Sequence, residues 1–160
     1  MNKFLSYLLH GAPQLRELGS VYGEPLVAGR VRLHVYIGTS PLKREPRLHL
    51  EIVFTSILSY SATPFQLDPA GTQRLLTALS NGDDVSLRGE PLQLLGRQEL
   101  HVEPLAGGQP PRLVKLTFLY WASIFASEWR TIELDADAIG YLISLLEQAR
   151  AELGPGAPAA

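Results

Sequence analysis

The 160-residue chain has no cysteine. That absence excludes a disulfide framework and any thiolate metal site, and it suits a reducing compartment. Long apolar runs are missing too. The opening stretch Phe4 to Leu9 is interrupted by Ser6 and Tyr7 and has no basic leader beyond Lys3, too little for a signal segment or a membrane span. The expectation is a soluble, cytoplasmic protein with no membrane partner. Neither charge dominates: 14 Lys+Arg stand against 16 Asp+Glu, a net charge of −2. Bulk charge therefore does not choose a partner; the distribution of charge does.

Catalytic signatures are absent as well. The chain contains no G-x-x-x-x-G-K-[ST] phosphate loop, no G-x-G-x-x-G, no G-x-S-x-G elbow and no H-E-x-x-H. The four histidines are His10, His34, His49 and His101. A metal site built on them needs a further ligand, which Glu51 or Glu103 would have to supply. Ordinary solvent-side strand residues are the simpler account. Asp83-Asp84 follows Asn81-Gly82 and fits a solvated turn better than a pair of catalytic carboxylates. Phe54, Phe118 and Tyr120 belong to apolar core stripes. The expectation is a non-enzyme with no catalytic residue, no metal and no cofactor.

What the chain does have is a repeat, and self-similarity of this kind decides the fold. Ser56-Ile57-Leu58 recurs as Ser123-Ile124-Phe125, an offset of 67 (123 − 56). Phe65-Gln66-Leu67-Asp68 recurs at the same offset as Ile132-Glu133-Leu134-Asp135, and Leu75, Leu76 and Leu79 as Leu142, Ile143 and Leu146. Gly23-Glu24-Pro25-Leu26 returns letter for letter as Gly89-Glu90-Pro91-Leu92.

Each copy reads as strands followed by a helix. Val31, Leu33, Val35 and Ile37 alternate with Arg30, Arg32, His34 and Tyr36, the period of a strand buried on one face. Leu48, Leu50, Ile52 and Phe54 give the inner face of the next strand, with Arg47, His49, Glu51 and Val53 outside. Val114, Leu116, Phe118 and Tyr120 repeat that inner face. Asp68-Pro69 is a helix start: the carboxylate caps the first turn, and proline at the first helical position lacks an N–H that would be orphaned. Gly82 ends that helix. Asp135 caps the second, whose buried stripe is Ile139, Leu142, Ile143, Leu146 and Ala149. Residues 2–9 fit a short amphipathic helix, 40–46 a polar turn, and 92–95 a short strand.

The predicted class is α+β: two tandem copies of an antiparallel sheet-then-helix unit, packed helix against helix as an internal pseudo-dimer. The divisions are residues 1–20, a short helix and linker; 21–82, the first unit; 83–153, the second; and 154–160, a tail with nothing to bury.

Function has to be sought on the outer sheet faces. From Arg30 to Arg47 five residues are basic and only Glu45 is acidic. The candidate nucleic-acid-binding residues of the first copy are Arg30, Arg32, Tyr36, Lys43, Arg44 and Arg47. The second copy adds Lys115, Trp121, Trp129 and Arg130. Cations interleaved with rings on a sheet suit a single strand: the charges track phosphates, and each unpaired base stacks on a ring for about 1–3 kcal/mol. Binding of this kind weakens steeply as salt rises.

The strand, the Leu-Asp-Pro or Leu-Asp-Ala junction and the Leu-spaced helix after it resemble the single-stranded-DNA-binding family of the transcriptional coactivator positive cofactor four and its Whirly relatives. The resemblance covers Arg30–Leu79 and Arg97–Gln148, with Phe65-Gln66-Leu67-Asp68-Pro69 as its closest stretch. It implies curved four-stranded sheets, association through the helices, and DNA held by basic and aromatic sheet residues. The partners expected are single-stranded DNA or RNA and a second copy in a homodimer, with a nucleoid location if the ligand is DNA. The alternative is a protein–protein interaction or oligomerisation module indifferent to nucleic acid.

Overall fold

The computed structural model describes residues 15–39, 45–90, 96–123 and 126–154. The expected helix over 2–9, the 40–44 part of the turn, the 92–95 strand and the tail from 155 onward lie outside these residues. In chain order the elements are β1 (Leu15–Tyr22), β2 (Arg30–Thr39), β3 (Pro46–Thr55), β4 (Tyr60–Leu67), α1 (Pro69–Asn81), β5 (Val85–Arg88), β6 (Arg97–Ala106), β7 (Leu113–Ser123), β8 (Ala126–Asp135) and α2 (Ala136–Leu153). They make two four-stranded antiparallel sheets, β1-β2-β3-β4 and β5-β6-β7-β8, with strands adjacent in sequence adjacent in space. The α+β class and the two sheet-then-helix units are those expected from the repeat.

The alternating apolar residues drive this arrangement. Val31, Leu33 and Val35, Leu48, Leu50 and Ile52, and Val114, Leu116 and Phe118 all sit on buried inner faces. Phe65 and Phe118 meet edge to face at 5.6 Å, so the two inner faces share one core. The caps form as the sequence predicts. Asp68 accepts a hydrogen bond from the Gly71 N–H at 2.7 Å, and Asp135 from that of Ala138 at 2.8 Å. Gly82 closes α1 at φ 74°, a left-handed conformation that side chains other than glycine's resist.

Three features differ from expectation. First, β1 is a full strand of eight residues, running across the 20/21 division that places 1–20 outside the unit. A register shift between Glu17 and Gly19 breaks its pairing with β2, so no clean period of two marks it in the sequence. Second, α2 buries Leu145 where the stripe named Ile143, which is only half-buried. Third, the helices do not each cover only their own sheet. α2 packs on α1 and also reaches β1 of the first unit. A Cβ on Gly19 would come within 2.9 Å of Leu145 Cδ2 and of the Tyr141 hydroxyl, so glycine there lets helix and strand close up. Arg16 of β1 ion-pairs with Glu152, and Arg150 donates to Gln73 Oε1 of α1 at 3.2 Å.

The repeated Gly-Glu-Pro-Leu segment joins the units reciprocally. The Glu24 N–H donates to the Glu133 carbonyl of β8 at 2.8 Å, and the Glu90 N–H donates to the Gln66 carbonyl of β4 at 2.8 Å. Glu133 and Gln66 are themselves equivalent in the repeat, 67 positions apart (133 − 66). The glycines obey the same exchange. A Cβ on Gly23 would lie 2.5 Å from Ile132 Cγ1, and one on Gly89 2.7 Å from Phe65 Cε2. Each hairpin loop is thus laid against the last strand of the other unit, and only glycine permits that approach.

Candidate functional site

The outer face of the first sheet divides in two. On β3, Arg47, His49 and Glu51 are as buried as core residues, at 6–8% exposed. The expectation that this row faces solvent is corrected here: all three are buried, and at the Arg47 end the second unit's Glu90 lies over the sheet. Arg47 Nε donates to Glu90 Oε2 at 2.8 Å, its Nη2 to Glu45 Oε2 at 2.9 Å, and Gln66 Nε2 to Glu90 Oε2 at 2.9 Å. Burial works against the Arg47 charge, but the bonds from Glu90 and Glu45 outweigh it and hold the guanidinium charged. Arg47 is therefore spent on the joint. His49 stands between Tyr36 and Gln66 in the sheet, and its Nε2 has no hydrogen-bond partner among the described residues. Burial pulls its pKa down to about 4.

The other part, on β1 and β2, is open. Arg30 is exposed at the start of β2. Arg32 donates from Nε to Ser20 Oγ at 2.8 Å, and its guanidinium lies over the exposed Tyr22 ring at 4.8 Å from the centroid. Tyr36 stacks on His34 with centroids 5.9 Å apart. Burial, then Glu51 and Glu17, pushes the Tyr36 hydroxyl up to about 12, so the ring stays neutral at ordinary pH. His34 in turn meets Glu17 at 2.6 Å, and its counterpart His101 meets Asp84 at 2.7 Å. Lys43 and Arg44 lie outside the described residues.

In the second unit, Lys115 is half-buried, 3.8 Å from Glu103. Trp121 carries the Arg97 guanidinium over its ring at 5.1 Å, while Arg97 also approaches Glu99 at 3.6 Å. Trp129 is 63% exposed. Arg130 faces inward, opposite Phe118, and not out beside Trp129. It donates from Nε to Ser61 Oγ of β4 at 3.1 Å and from Nη1 to the Trp129 carbonyl at 2.9 Å. Among the described residues no carboxylate pairs with Arg30, Arg32 or Arg130. The structure therefore brings Arg30, Arg32 and Tyr36 together on one face and sets Trp129 and Arg130 at the seam between sheets.

Sequence reasoning missed Tyr22 and Tyr60, and it placed Arg97 among the outward cations of the second copy. The signal for Tyr22 is hidden by the bulge in β1, whereas Arg97 is also the repeat partner of Arg30, 67 positions on (97 − 30). Among the described residues no group of three or more His, Asp or Glu is placed to hold a metal, and no helix is long and apolar enough to cross a membrane.

No protein-family model and no curated protein matches the chain. Solved structures do. WHY1 from Arabidopsis thaliana superposes with a TM-score of 0.62 at 14% identity, over 89% of this chain and 86% of that one. The plant transcriptional regulator PBF-2 gives 0.63 at 17% identity, over 87% and 82%. WHY3 from Arabidopsis thaliana gives 0.58 at 16% identity, over 82% and 87%. Each of these is matched as a single chain across both sheet-and-helix units. At such identities the likeness is one of architecture, and it establishes that this chain has a Whirly-like fold.

Proposed function

We propose that the chain binds single-stranded nucleic acid, DNA in the first place, and catalyses no reaction on it. The observation that carries this reading is the pairing of rings with guanidinium groups on the sheets: the exposed Tyr22 with Arg32, and the half-buried Trp121 with Arg97. Rings of this kind offer a π-face to any unpaired base, and guanidinium groups meet phosphate oxygens. The Whirly-like fold supports it, since PBF-2 is a transcriptional regulator and the family that the chain resembles holds single-stranded DNA on basic and aromatic sheet residues. Tyr22, Arg30, Arg32, Tyr36, Arg97, Lys115, Trp121, Trp129 and Arg130 form the contact set, with Lys43 and Arg44 on the adjoining turn. Arg47 leaves the set because it is buried against Glu90. Such a protein would work in the cytoplasm at the nucleoid, with a homodimer extending the same surface.

The pre-existing ion pairs alter one expectation. Lys115 and Arg97 already stand near carboxylates, which leaves Arg30, Arg32 and Arg130 as the cations of the set without a carboxylate among the described residues. These three alone, each neutralising a phosphate, give a slope of log K against log salt of about −2, and Lys43 and Arg44 would steepen it. A fluorescence titration with labelled oligo-dT at low salt tests the proposal: saturable binding at micromolar protein supports it, and no binding removes it.

A second reading, a protein-interaction module, rests on one hairpin tip. Ile57 and Leu58 are 101% and 95% exposed between β3 and β4. Ser56 Oγ accepts from the N–H groups of Leu58 and Ser59, which fixes this apolar turn where polar residues are usual. That reading predicts a large oligomer in light scattering and indifference to DNA.

A further inference from the structure

The two joints between the units are built on one plan but finished differently. At the joint of β6 with β4, Gln98 is buried and its Nε2 donates across the seam to the Pro64 carbonyl at 2.5 Å. The residue that stands in the same place on β2 is Val31: the Gly23 N–H donates to the Val31 carbonyl as the Gly89 N–H donates to that of Gln98. Valine has no polar group to send across. A cleft of about 330 Å³ opens there between the end of the first sheet and β8.

The other substitutions run in the same direction. The floor has Ile52 where the other joint has Phe118, and the rim has Trp129 and Arg130 where the other has Ala62 and Thr63, each 67 positions earlier (129 − 62, 130 − 63). The floor is smaller and apolar. The rim gains the largest ring and a cation. Arg130 is held by Ser61 and the Trp129 carbonyl, contacts that engage two of its nitrogens and leave donors of the guanidinium uncommitted. An apolar slot of this size, with Trp129 at its rim and the Arg130 guanidinium beside it, matches a flat ring attached to an anion.

We propose that this cleft takes one nucleobase of a bound single strand, with Trp129 against the ring and Arg130 on the adjoining phosphate. The inference rests on the nucleic-acid reading above and names a place that the sheet-face contacts do not. Oligo-dT carrying 5-iodouracil is irradiated on the full chain and the crosslinked peptide is identified by mass spectrometry. Two variants are titrated alongside. Val31→Gln installs the residue that spans the opposite joint, and Trp129→Ala removes an exposed ring without touching the core. The expected result is a crosslink within the peptide containing Trp129 or that containing Leu26, and about a tenfold loss of oligo-dT affinity in both variants, the worth of one stacked base. Normal binding by Trp129→Ala, with crosslinks confined to the β1–β2 face, overturns the cleft and leaves the nucleic-acid reading standing. Failure of the unaltered chain to bind overturns both.

Discussion

Glu24 and Glu90 hold the same position in the same four-residue segment, and each sends its backbone N–H to the last strand of the other unit. Their side chains do different work. Glu90 accepts from Arg47 and Gln66 in the interior, whereas Glu24 has no side-chain partner among the described residues. The backbone half of the joint is thus symmetric and the side-chain half is not. One copy locks the halves together with a buried charge pair. The other leaves an unlocked cleft bearing Trp129 and Arg130. A repeated architecture lets one joint be committed to stability while its counterpart stays open.

The largest test of that contrast is the pair Glu90→Ala and Glu24→Ala. Removing Glu90 strands the buried Arg47 guanidinium with Glu45 alone, at a cost of about 3 kcal/mol in urea unfolding. Glu24→Ala should cost about 0.5 kcal/mol or less, as a surface change does. Equal losses would show that the joints are equivalent after all.

Acid should act on the locked side through His49. Its pKa is about 4 in the folded state against 6.5 ordinarily. Stability from this group is therefore complete above about pH 6.5. It falls as pH drops and the unfolded chain takes up the proton first, by about 3 kcal/mol in total by pH 4. His49→Gln should flatten the pH dependence of unfolding over that window. Lys115, its counterpart on β7, is half-buried beside Glu103, and Lys115→Gln should leave the profile as it is.

The glycines give the smallest effect and the sharpest check of symmetry. Gly23→Ala and Gly89→Ala each place a Cβ against the other unit's last strand, and each should cost roughly 1–2 kcal/mol. Thermal unfolding of the two variants should shift by similar amounts. A large loss at one glycine alone would mean that the exchange is not reciprocal.

Much of this fold can be read from the letters. The alternation in β2, β3 and β7 names the inner faces, and Asp68 and Asp135 announce the helices, because these are local signals set by period and capping. β1 escapes because its bulge resets the period between Glu17 and Gly19. The site is less legible. Alternation says that Arg47 and His49 leave the inner face, but not that Glu90 then covers them. It does place Arg130 inward, in step with Ile132 and Leu134, a cue outweighed by its charge. The repeated Gly-Glu-Pro-Leu is plain in the sequence, while its purpose needs the partner strand, which lies far away along the chain.

The most direct measurement of the central claim is a competition. Labelled oligo-dT bound to the full chain is challenged with unlabelled single strand and with duplex of the same length at low salt. Open rings that stack on unpaired bases predict displacement by the single strand and little by the duplex. Equal displacement by both, or no complex to displace, would contradict the account.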